Sequence, residues 1–385
     1  MFEHELSQLS ERNLLRRLRV VDSSDGPRIT MNNRELLLLC SNDYLGLANH
    51  PALRQAALKA MERYGFGAGA SRLVSGTSEL HQALENRLAL FKGTEAALVF
   101  NSGYAANTGI IPAIVGIGDL ILSDSLNHAS IVDGCRLSKA QVKVYPHKDS
   151  VQVETLLKNN RQARRKLIVT DGVFSMDGDI AALPDLVYLS EKYGAILMVD
   201  DAHGTGVLGQ TGKGTVEHFG LSGRVHVQMG TLGKALGSFG AYAAGSKELI
   251  DFLINCSRSF IYSTALPSSV CAASLAAIDL LEQEPERRER LWNNRNQFAH
   301  GLRSIGISTG TSETPIVPLI IGDSGRALKA AEKLFEYGVY ATAIRPPTVP
   351  ADAARIRATV SAAHTDVDID SVLGIFSRLK KEGYV

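Results

Sequence analysis

Short apolar stretches alternate with longer amphipathic ones between about residues 95 and 245. Ala97 to Phe100, Leu120 to Ser123, Val142 to Tyr145, Leu167 to Thr170, Ile196 to Asp200, Val225 to Met229 and Ala241 to Ala244 read as buried strands. Between most of them, residues 78–91, 103–114, 151–159 and 184–193 carry helical patterns. Strand and helix in strict turn require parallel crossovers, which predicts an α/β fold with a doubly wound, mainly parallel sheet covered on both faces. Before it, Leu6, Leu9, Leu14, Leu15 and Leu18 recur on a roughly helical period and predict a basic amphipathic helix over residues 3–21. Beyond about residue 285 a long charged helix leads into strand candidates Ile316 to Ile321, Tyr340 to Ala343 and Arg355 to Ser361, with helices near 326–337 and 367–380. The expected organisation is an N-terminal helical arm over 1–40, a large domain over 41–280 and a smaller α+β domain over 281–385.

A chain of 385 residues fits two to three domains and is long enough for a large core. Its 41 basic residues against 40 acidic ones leave no electrostatic footprint for nucleic acid or an anionic membrane. Cys40, Cys135, Cys256 and Cys271 lie far apart with no CxxC pair, so neither a zinc cage nor a disulfide framework is expected, and no metal site is predicted. The first residues lack a signal-peptide core, and no apolar run reaches the ~18 residues of a membrane span, which points to a soluble chain of the cytoplasm.

Glycine-rich loops are the candidates for chemistry. GTGVLG, Gly204 to Gly209, follows a strand as a dinucleotide fingerprint does, but QTGKGT opens a helix poorly and residues 221–230 offer no acid for a ribose. Neither Gly212-Lys213 nor Gly233-Lys234 completes a P-loop. GFGAGASRLVSGT, residues 65–77, reads on composition as a flexible surface turn or a binding loop. The stronger set is SGYAAN, NHAS, FSMDG, DDAH and TLGKALGSFG, each at a strand end or a strand-to-helix junction, where loops line the carboxyl edge of an open sheet.

A carboxylate (Asp200), an imidazole (His203) and an amine (Lys234) at one sheet edge suit pyridoxal phosphate (PLP): the lysine holds it as a Schiff base, and the aspartate keeps the pyridine nitrogen protonated. Ser102, Gly103 and Tyr104 open a helix whose N–H groups suit a phosphate, Thr231 adds a hydroxyl, and His128 suits a place flat on the ring. Taken singly, Lys234 reads as a solvated lysine, His128 as a structural histidine, Asp200 as a cap and Ser175 as a turn residue beside Asp177 and Gly178. Their joint placement gives the chemical reading its weight. A nicotinamide dehydrogenase, resting on GTGVLG, and a PLP-binding regulator without turnover are the readings of other classes.

TLGKALGSFG resembles the lysine signature of class II PLP-dependent aminotransferases. SNDYLGLANHP, GASRLVSGT, DSLNHASIVDG, GVFSMDGD, VDDAHGTGVLG and FIYSTALP resemble the α-oxoamine synthase branch of that fold type I family, from about residue 10 to 380. Members of the branch join an acyl-CoA to an amino acid with loss of CO2. DAHGTG and IRPPTVP are similar to the members that condense L-alanine with pimeloyl-CoA in biotin biosynthesis, while NHASIVDGCRLSKA and TLGKALG are at least as close to the 2-amino-3-ketobutyrate CoA ligases, leaving the substrate pair open. The resemblance implies Lys234 as Schiff-base lysine, Asp200 on the pyridine nitrogen, His203 on the ring hydroxyl and His128 stacked on the ring. It places Gly103, Tyr104, Ser175 and Thr231 at the cofactor, with Asn42 and Arg345 on the amino-acid carboxylate and Arg16 and Thr348 on substrate. It also implies a homodimer with shared sites, in which Ser263 and Thr264 reach the phosphate bound to the neighbouring subunit.

Overall fold

In the computed structural model, which describes residues 1–385, alternating apolar side chains give a seven-stranded sheet two buried faces. Ile121, Leu167, Val169 and Met198 pack on one face under the helices Gly103–Ile114, Ala129–Ser138 and Lys247–Cys256. Leu120, Leu122, Ile168, Leu197 and Val199 pack on the other under Ser150–Asn159 and Leu183–Tyr193. The strands lie in the spatial order Ala96–Phe100, Ala241–Gly245, Val227–Thr231, Ile196–Asp200, Lys166–Asp171, Leu120–Asp124 and Gln141–Tyr145. Ala241–Gly245 runs antiparallel to both its neighbours, and the strands from Val227–Thr231 to Gln141–Tyr145 pair in parallel. The mainly parallel α/β sheet expected from the alternation is therefore present. This sheet is the centre of a unit made of Leu47–Phe174 and Ile180–Pro285.

A second unit comprises Met1–Gly46, Ser175–Asp179 and Glu286–Val385. Its three-stranded antiparallel sheet places Ala354–Thr359 between Ile316–Gly322 and Thr342–Ile344. Along the central strand Ala354, Ile356 and Ala358 enter a core with Phe298, Leu334 and Phe376, while Arg355, Arg357 and Thr359 point the other way. Residues 1–40 are not a helical arm. The helix covers only Glu3–Glu11; Asn13 takes a left-handed φ of 56°, and the N–H groups of Leu14 and Leu15 turn back to the Leu9 carbonyl. Ser23–Asp25, Arg28–Met31 and Arg34–Leu38 then form strands of a sheet completed by Val339–Tyr340. The strand expected over 340–343 is two short ones in different sheets, Val339–Tyr340 and Thr342–Ile344. No helix is long and apolar enough to cross a membrane.

Candidate active site

Three neighbouring parallel strands of the large sheet end in aspartates, Asp124, Asp171 and Asp200. Asp200 is buried; its Oδ1 accepts from the Ala202 N–H at 3.0 Å and its Oδ2 from Asn107 Nδ2 at 2.8 Å. Two residues past Asp201 the chain presents His203, whose Nε2 lies 2.7 Å from Lys234 Nζ. Lys234 sits in the turn between Val227–Thr231 and Ala241–Gly245, tightened by Ser238 N–H to the Leu232 carbonyl and Gly237 N–H to the Lys234 carbonyl. Any Cβ on Gly237 would lie 2.5 Å from the backbone of Leu47 and Ala48, so a glycine is required for that turn to seat. Asp200, His203 and Lys234 thus meet at the carboxyl edge, as their spacing suggested.

Asn107 has a second amide hydrogen, which goes to Ser130 Oγ at 2.9 Å. Ser130 Oγ lies 2.7 Å from His128 Nδ1, and the Ser130 N–H donates to the same nitrogen at 3.2 Å, making His128 the N-cap of Ala129–Ser138. The His128 N–H donates to Asp171 Oδ2 at 2.6 Å, and Asp171 stands beside Asp200 in the strand register. Burial lowers the His128 pKa and the Lys234 ammonium adds to that, against the opposing pull of Asp200, so the imidazole is neutral at pH 7. Burial and then the Asp200 charge push the Asp171 carboxyl well above the ordinary carboxylate range.

Ser102 caps Gly103–Ile114 by accepting from the Ala105 N–H, and the N–H groups of Gly103 and Tyr104 lie in the first turn, where no intrahelical acceptor exists. A Cβ on Gly103 would meet Thr231 Cγ2 at 2.9 Å, so helix start and Thr231 lie against each other. A dipole end with free N–H groups, an adjacent hydroxyl, a carboxylate and a lysine form a donor set that fits a phosphorylated pyridine aldehyde. Ser263 and Thr264 lie in the same unit: the Thr264 carbonyl accepts from Asn101 Nδ2 at 2.7 Å, and Thr264 bridges to Ser71 of the glycine-rich segment. That segment is anchored, since Arg72 makes a two-pronged pair with Glu85 at 2.8 and 3.0 Å.

The second unit holds the other expected residues. Ser175 gives its carbonyl to Arg357 Nε, and Arg357 Nη2 donates to Asn42 Oδ1 at 3.2 Å. Asn42 is thus paired with Arg357, a residue sequence reasoning missed. Arg345 donates instead to the Asn13 carbonyl, its buried Nε has no partner, and burial together with Arg16 lowers its pKa. Arg16 donates to the Pro346 carbonyl at 3.3 Å, and Thr348 is exposed on the turn that follows. Asn107 and Ser130 stand inside the SGYAAN and NHAS motifs and Asp171 follows a strand candidate, but sequence reasoning gave none of the three a role.

A cavity of about 600 Å³ opens at the opposite edge of the large sheet, among Glu95, Arg165, His226, Gln228 and Phe252, and neither Lys234, Asp200, His203 nor His128 lines it. No group of His, Cys, Asp or Glu could hold a metal ion.

Residues 34–376 match the family described as aminotransferase class I and II. The chain is 57% identical over 380 residues to an 8-amino-7-oxononanoate synthase of Geobacter sulfurreducens, covering 98% of this chain and 97% of the relative. It is 49% identical to 8-amino-7-oxononanoate synthase 1 of Bacillus subtilis, covering 98% and 96%. Among solved structures, serine palmitoyltransferase of S. paucimobilis superimposes with a TM-score of 0.95 at 31% identity, over 100% of this chain and 98% of that one. An 8-amino-7-oxononanoate synthase from Francisella tularensis does so with a TM-score of 0.78 at 29% identity, over 91% and 99%.

Proposed function

The chain belongs to the aminotransferase class I and II family, and we propose that it catalyses the PLP-dependent decarboxylative condensation of L-alanine with a pimeloyl thioester to 8-amino-7-oxononanoate, a step of biotin biosynthesis. The observation that carries this reading is Lys234 Nζ 2.7 Å from His203 Nε2, on the loop that Asp200 begins. Bound PLP supplies an electron sink for the substrate Cα. Asp200, fixed by Ala202 and Asn107, holds the proton on the pyridine nitrogen; His203 takes the ring hydroxyl. Gly103 and Tyr104 N–H groups and the Thr231 hydroxyl take the phosphate.

Lys234 carries the Cα proton away and back once substrate has released its amine. His128, neutral and with Nδ1 already accepting, has its hydrogen on Nε2 to donate to the acyl oxygen as charge develops there. Arg357 with Asn42 is a pair that suits a carboxylate such as the amino acid's, the group later lost as CO2. Arg16 and Arg345, two guanidinium groups without a carboxylate partner, suit the far carboxylate of a pimeloyl chain, with Thr348 beside them. The product rests on the relatives' names, and the substrates and the shared homodimer rest on the resemblance.

Borohydride applied to the yellow protein should fix the cofactor to the peptide containing Lys234, and label on another lysine removes the assignment. The substrate pair is tested by kcat/KM for thiol release. Pimeloyl thioester with L-alanine should exceed acetyl-CoA with glycine by orders of magnitude, since each buried methylene contributes roughly 1–3 kcal/mol. If acetyl-CoA with glycine is the best pair, the ketobutyrate ligase reading replaces this one.

A further inference from the structure

Asn107 is fully buried on the helix behind the phosphate-facing turn, and its amide is oriented at a cost. Both its hydrogens are used, on Asp200 Oδ2 and Ser130 Oγ, while its Oδ1 is buried with no partner. Rotating the amide would set its oxygen against the Asp200 carboxylate, acceptor facing acceptor, so Asp200 fixes which end is which. Ser130 Oγ then receives one hydrogen from Asn107 and has its own free for His128 Nδ1, 2.7 Å away. The Ser130 N–H aims at that nitrogen as well, but at 3.2 Å against 2.7 Å, so the hydroxyl is the shorter of the two contacts that favour a bare Nδ1.

We propose that Asn107 and Ser130 are positioning residues that select the tautomer of His128: Asn107 turns the Ser130 hydroxyl hydrogen onto Nδ1, and the imidazole keeps its one hydrogen on Nε2, where the acyl oxygen needs it. The same amide ties the acid that serves the pyridine nitrogen to the imidazole that serves the thioester. One residue therefore sets both ends of the site. This rests on the role given to His128 above.

The test is long-range nitrogen–proton correlation on holoenzyme labelled with 15N-histidine, the His128 signals being identified by their loss in His128→Gln. The unaltered enzyme should show Nε2 protonated and Nδ1 bare. Ser130→Ala should give a mixture of tautomers and a kcat about tenfold lower, with PLP affinity unchanged because Asn107 still holds Asp200. Asn107→Leu should mix the tautomers and also weaken PLP binding about tenfold. A proton on Nδ1 in the unaltered enzyme overturns the proposal whether or not the variants fold. So does an unmixed Nε2–H pattern in both variants. Failure of borohydride to label Lys234 would instead remove the proposed reaction and leave the tautomer measurement standing.

Discussion

Asp124, Asp171 and Asp200 end adjacent strands, yet what surrounds each carboxylate gives it a different task. Asp124 accepts from the N–H groups of Leu126 and Lys148 and from His147 Nδ1 at 3.0 Å, which closes loops. Asp200 receives the Ala202 N–H and the Asn107 amide and stands ready for a protonated pyridine. Asp171 has the His128 N–H but faces Asp200 and Asp124, with only Lys234 in opposition, so burial and those charges raise its pKa. A carboxyl whose folded pKa is raised favours the fold below its unfolded pKa, about 4, and that contribution is lost as pH climbs toward the folded value. Asp171→Asn keeps an acceptor for the His128 N–H and removes the titration. Melting temperatures of the two proteins should therefore be closest near pH 4 and diverge in favour of the variant toward pH 8; a constant gap would mean Asp171 is ionised in the fold. Lys234, Asp200, His203 and His128 were legible in the sequence because glycine and strand ends mark them. Asn107, Asp171 and Arg357 were not, since a helix interior and strand register give them their neighbours.

At the scale of elements, two glycines of GTGVLGQTGKGT, Gly204 and Gly214, owe their places to one buried ion pair. Asp201 points away from Asp200 across the strand end and meets Lys92 Nζ at 3.2 Å, both side chains being 0% exposed. Asp201 also accepts from the Thr215 N–H at 3.1 and 3.0 Å and from its hydroxyl, while Lys92 donates to the Lys213 carbonyl. A Cβ on Gly204 or Gly214 would fall 2.0 or 1.7 Å from an Asp201 oxygen, and one on Gly209 2.1 Å from Glu217 Oε2, so the first and last glycines of the fingerprint-like GTGVLG make room for carboxylates of this chain. Burial alone would lower the Lys92 pKa, but Tyr242 and Asp201 outweigh it and the ammonium persists. Lys92→Met strands Asp201 without its partner and should cost about 3–5 kcal/mol in urea unfolding, whereas Lys92→Met with Asp201→Leu should cost less than the single changes summed. Additive losses would show that the pair is not coupled. Periodicity found the long elements of this sheet because each buries a whole face. It missed Ser23–Asp25 to Arg34–Leu38 and joined Val339–Tyr340 to Thr342–Ile344, since strands this short are set by their partners and not by their own pattern.

For the molecule as a whole, the segments implied to serve a neighbouring subunit are joined to each other by the Ser71 to Thr264 bridge and carry large apolar side chains in the open. Phe66 is 82% exposed, Val74 80% and Tyr262 71%, alongside Leu73. Large apolar side chains exposed on two linked segments are what a self-complementary interface presents. A homodimer with shared sites makes a prediction that a dimer with separate sites does not. In a hybrid of a Lys234→Ala chain and a Ser263→Ala/Thr264→Ala chain, sharing puts both defects in one site and leaves the other with an intact Lys234 and an intact Ser263 and Thr264. Random reassociation of equal amounts makes half the dimers hybrids, so activity should return to about a quarter of that of the unaltered protein. If each site uses only its own chain, every site in the mixture keeps one defect and no activity returns. Sedimentation of the same samples separates that result from a failure to exchange subunits. The other adverse outcome is an active monomer at assay concentration, which would remove the shared site altogether.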